Sequence, residues 1–130
     1  MPRRACLGAL LLAGGVLHAG LDFSYQLVDG SYYLYERDVG DIDGDGKNDI
    51  VGVEEGDTTV QVFRASNWER STLITFTGTY KYPRADDFKL ADINGDGKLD
   101  VVTRLGSGPA DDGLGIAVWY ENLGGGAGFT

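Results

Sequence analysis

The sequence predicts an all-β protein made of two copies of one antiparallel unit, and three observations carry that expectation. The stretches 40–51 and 91–102 match at nearly every position, so that Asp41 and Asp92 open equivalent Asp/Gly loops. Each loop is followed by a β-branched strand, a polar turn and a second strand. No segment after residue 20 has the apolar period of a helix. Short strands separated by Gly-rich turns fit a repeat architecture of four-stranded sheets.

Residues 1–19 read as a secretory signal peptide. Arg3 and Arg4 give a basic start, residues 5–17 are apolar, and His18-Ala19-Gly20 offers small residues for cleavage. The apolar run is short for a membrane span and no second one follows, so no span is expected after cleavage. Cleavage would remove Cys6 and His18, the only cysteine and histidine of the chain. What remains offers no disulfide, no thiol nucleophile, no Cys/His zinc site and no His-based triad. Acid–base chemistry would fall to carboxylates, Lys or Tyr. The net charge would pass from −9 to about −11, because Arg3 and Arg4 leave and no acid does. Such a surface repels nucleic acid and anionic lipid. The expected location is secreted, or periplasmic in a bacterium.

The remaining domain, residues 20–130, divides into repeats at about 30–77 and 82–130. Residues 23–28 resemble 68–74 and are expected to be the last strand of a unit. Residues 32–39 form the strand ahead of the first loop, and 49–53, 59–63 and 68–76 follow it. The last of these alternates as a half-buried strand does. In the second copy the expected strands are 85–91, 100–103 and 115–120, with Phe129 standing where Trp68 stands in the first. The polar turn is 54–57 in one copy and the longer 106–113 in the other.

The loops themselves point to a metal. Oxygen-bearing side chains stand at loop positions 1, 3, 5 and 9: Asp41, Asp43, Asp45 and Asp49, then Asp92, Asn94, Asp96 and Asp100. Gly46 and Gly97 at position 6 permit the sharp turn, and Lys47 and Lys98 at position 7 would each offer a backbone carbonyl. Two carboxylates about 4 Å apart repel by roughly 4 kcal/mol at an effective dielectric of 20, so four converging on one turn call for a cation. Hard oxygen donors in this number favour Ca²⁺, one ion per loop. The competing reading is that Asp and Gly make Asx-turns in a solvated hairpin. An EF-hand would need an acid at position 12 between two helices. Gly52 and Thr103 stand there, each in a β-branched stretch, and the same test excludes a dockerin.

With these loops, their following strands and the later Val-Trp-Tyr-Glu-Asn-Leu-Gly at 118–124, the sequence resembles FG-GAP or VCBS repeats, as in integrin-α-type propellers. The resemblance covers residues 22–130 and lies closer to the VCBS branch, because the Phe-Gly…Gly-Ala-Pro signature is absent. It implies an incomplete β-propeller of two four-stranded antiparallel blades after a signal-peptide helix, with calcium in the hairpin between a blade's first two strands. It also implies a non-catalytic role in extracellular recognition or adhesion, towards a protein or a glycan. Propellers close with four to eight blades. Two blades imply either a piece of a longer propeller, one accompanying a carbohydrate-active enzyme or binding a glycan, or self-association that completes the blades.

Other candidates have plainer explanations. Tyr32, Tyr33, Tyr35, Trp119 and Tyr120 could stack on sugars, but alternation along strands favours packing between sheets. The pairs Asp86-Asp87 and Asp111-Asp112 could serve as catalytic carboxylates, yet in an acidic chain they read as solvated turn residues.

Overall fold

The computed structural model describes residues 24–54, 56–84, 87–109, 115–125 and 128–130. The expected signal peptide, Asp86 and the Asp111-Asp112 pair lie outside them. Among the described residues the structure is all β, with no helix.

The first sheet has four strands in sequential antiparallel order: β1 (Glu36–Gly40), β2 (Asp49–Val53), β3 (Thr59–Phe63) and β4 (Arg70–Thr75). Valine dominates its two central strands because a branched side chain packs well on a pleated, buried surface. Val51, Val53, Val60 and Val62 are all buried. Gln61 shares β3 with them and keeps its amide satisfied through Thr59 Oγ1 and Thr72 Oγ1, at 2.9 and 3.0 Å. Gly52 is required by the close approach of β1, since a Cβ there would lie 2.4 Å from Glu36 O.

The second sheet comprises β5 (Tyr82–Pro83), β6 (Lys89–Ala91), β7 (Asp100–Gly106) and β8 (Ile116–Tyr120). Its arrangement departs from the first. β5 and β6 lie one after the other along the same edge of β7, and β8 takes the other edge. Of the single strand expected at 85–91, the last three residues form β6, and β5 lies ahead of that range. Asn122 and Phe129 form a bridge, which is what the described residues show of a strand beyond β8. Of the stretch 23–28 expected as a strand, residues 24–28 form none, and Tyr25 is 95 % exposed.

In both sheets the Asp/Gly loop is the connection of an antiparallel hairpin. Gly40 pairs with Asp49 across the first, and Ala91 with Asp100 across the second. The two sheets share one hydrophobic core that joins Ile42, Val60, Ile74 and Phe76 to Phe88, Val101 and Leu105. Phe76 meets Tyr120 edge to face, with ring centroids 5.3 Å apart. At the seam Asp38 Oδ2 accepts the N–H of Leu90 at 3.0 Å, and Asn122 Nδ2 donates to Ile42 O at 2.9 Å.

The aromatics expected between sheets divide. Tyr120 is packed, and Tyr32 lies under the Arg70 guanidinium, 4.3 Å from its ring centroid. Tyr33, Tyr35 and Trp119 are exposed.

Candidate metal centre

Each loop is shaped by its first aspartate. Asp41 Oδ1 accepts the N–H groups of Gly44 and Asp45, at 2.8 and 3.0 Å, and its Oδ2 accepts that of Gly46 at 2.8 Å. Asp92 does the same for Gly95, Asp96 and Gly97, at 2.8, 3.0 and 2.9 Å. Three amide donors can converge on one carboxylate only if the backbone curls round it, and glycines at φ +84° (Gly46) and +86° (Gly97) supply that curl.

Positions 3 and 5 continue the pattern. Asp43 Oδ1 and Asn94 Oδ1 accept the N–H of Asp45 and Asp96, and those residues in turn accept from Lys47 and Lys98 N–H at 2.9 Å. The ninth position is different in kind. Asp49 and Asp100 are wholly buried, which for a carboxylate demands close partners. Asp49 accepts from Ile42 N–H (3.2 Å) and Ala65 N–H (2.8 Å); Asp100 accepts from Ile93 N–H (3.0 Å) and Asn122 N–H (2.8 Å). Each therefore ties its loop to the residues just after the third strand of the unit, and Ala65 and Asn122 are structural equivalents.

Oxygens of Asp41, Asp43 and Asp49 lie within 4.8 Å of one another, a spacing at which one cation could bridge all three. Asp45 is not in that group; its Oδ2 lies 3.8 Å from Lys47 Nζ. In the second loop Lys98 Nζ donates to Asp96 Oδ2 at 2.5 Å. That bond holds the Asp96 carboxyl below its ordinary range and raises the Lys98 ammonium above its own. The lysine side chains thus act as counter-ions to position 5 and are themselves partly exposed. The donor set, carboxylate and amide oxygens with Gly-permitted curvature, suits a hard divalent ion. A cleft of about 510 Å³ runs between the two loops, lined by residues of both, including Asp41, Asp43, Lys98 and Asn122.

Sequence reasoning missed three residues at these loops. Arg64 Nε lies 3.3 Å from Asp43 Oδ2, Glu121 Oε1 accepts from Asn94 Nδ2 at 2.9 Å, and Asn122 bridges the sheets. A signal was available: Arg64-Ala65 and Glu121-Asn122 each follow the third strand of their unit, so aligning whole repeats would have placed them together.

Residues 41–103 match the family model of the FG-GAP-like repeat, a span running from the first aspartate of the first loop into β7. No curated protein and no solved structure matches the chain.

Proposed function

Since residues 41–103 match the FG-GAP-like repeat model, we propose that the protein is a secreted, non-catalytic, calcium-binding module for extracellular recognition or adhesion. The observation that carries the reading is the convergence of Asp41, Asp43 and Asp49 in a hairpin connection, in a loop whose hydrogen-bond pattern recurs around Asp92, Asn94 and Asp100. Asp41, Asp43, Asp45 and Asp49 would hold one ion with the Lys47 carbonyl, and Asp92, Asn94, Asp96 and Asp100 another with that of Lys98. The chemistry supplied is structural: a divalent ion neutralises carboxylates that otherwise repel, and so stiffens the hairpin ends on which a partner would dock. Extracellular calcium modules bind at roughly 0.1–1 mM, which is sufficient for such a role.

The test is a calcium titration of the full chain by calorimetry, with melting curves in calcium and in EDTA. Two ions bound and a melting temperature raised by calcium are expected, with Asp45→Ala and Asp96→Ala each reducing the calcium-dependent rise. Superimposable melting curves and no heat of binding would remove the reading's support.

A glycan as partner is favoured by the exposure of Trp119, Tyr33 and Tyr35, whose rings offer apolar faces to a sugar. A glycan array with the wild type and Trp119→Ala decides between a sugar and a protein partner.

A further inference from the structure

The two loops differ in the charge that faces their third position. Arg64 and Glu121 are structural equivalents, because each stands one residue before the amide that bonds the ninth-position aspartate. Arg64 is held from two sides, by Asp43 Oδ2 at 3.3 Å and by Ser71 Oγ, which accepts from its Nη1 at 2.6 Å. Glu121 instead accepts from the Asn94 amide, whose Oδ1 takes the N–H of Asp96 within the loop.

At the first loop oxygens of Asp41, Asp43 and Asp49 converge, with Asp45 beside Lys47. At the second, the loop acids Asp92, Asp96 and Asp100 are joined by Glu121, which reaches the loop through Asn94. Only at the first does an arginine stand on one of them. Lysine cannot account for a difference in sign, since Lys47 and Lys98 occupy the same loop position on flexible stems. Lys98 lies nearer its position-5 carboxylate than Lys47 does, but both loops carry that cation, whereas Arg64 and Glu121 are opposite in sign at equivalent places.

We infer that the protein has one tight and one weak calcium site. The loop 92–100 fills first, its missing third-position charge restored by Glu121. The loop 41–49 fills second, because an incoming ion must displace the Arg64 guanidinium from Asp43. This rests on the calcium reading above. Arg64 and Asp43 are both partly exposed, so salt screens their contact and the effect is modest, roughly threefold to fivefold in affinity.

Titration of the full chain with calcium chloride, each loop followed separately at the amide resonances of Gly46 and Gly97, tests the inference. In wild type the step at Gly97 should be half complete at roughly threefold to fivefold lower calcium than that at Gly46, and Asp92→Asn should remove the tighter step. Arg64→Gln should tighten the weaker step by roughly threefold to fivefold and leave the tighter step in place. Arg64→Lys, which keeps the charge, should leave the weaker step weak. Glu121→Gln should weaken the tighter step and bring the two together. Two equal steps in wild type, or an Arg64→Gln titration that superimposes on it, overturn the inference while calcium uptake itself stands. No uptake by wild type or any variant overturns both.

Discussion

Asp49 and Asp100 show how much one side chain can hold. Each is buried and closes two backbone N–H groups, one at its own loop and one beyond the third strand. Asp49→Ala should therefore strand two amides and cost about 2–4 kcal/mol, read from urea unfolding in EDTA so that no ion contributes. Asp49→Asn keeps one acceptor oxygen and should cost less. Gly46→Ala, at φ +84°, should cost about 1 kcal/mol through backbone strain alone, since open space surrounds the added methyl. At this scale the sequence was informative: oxygen donors at fixed spacing and a glycine at position 6 were visible as letters. The burial of position 9 was not, because it depends on Ala65 and Asn122, brought in by strand pairing. Arg64 escaped notice for the same reason; nothing adjacent to it marks it as a neighbour of Asp43.

Among the elements, strands with alternating or β-branched residues were readable, and β2, β3 and β8 lie close to where the pattern placed them. The first strand of each unit was not. β1 spans only Glu36–Gly40, and in the second unit the corresponding edge carries two short pieces, β5 and β6. Ahead of β1, Tyr32 secures the incoming chain by donating its hydroxyl to Asp57 Oδ2 at 3.1 Å in the β2–β3 connection. Burial and that carboxylate push the phenol up to about 12, against an ordinary value near 10. The folded state thus holds this proton more tightly than the unfolded chain. Its contribution to stability is complete below about pH 10 and is lost as pH rises to about 12. Tyr32→Phe should flatten that part of the stability profile, measured as the urea midpoint against pH. The loss should be small, because Tyr32 is only partly buried and solvent screens its contact with Asp57.

For the molecule as a whole, the packing of one sheet on the other was beyond reach of the letters. It rests on contacts such as Asn122 to Ile42, which are 80 residues apart, and on Leu99 seated where any side chain at Gly40 would intrude. Asn122 bonds Ile42 O, Leu99 O and, through its own N–H, Asp100. Asn122→Ala should lower global stability by about 1–3 kcal/mol. Hydrogen exchange should also quicken at amides of both loops rather than of the second alone. Unchanged protection in the first loop would show that the sheets are held by apolar packing without this peg. The peg also gives the pair a handedness of attachment. The second sheet grips the first, but the first, with Ala65 at the equivalent place, has no amide with which to grip anything on its own far side. Ile93, the counterpart of buried Ile42 on the second sheet, is half exposed, so among the described residues this bond joins the two sheets in one direction only.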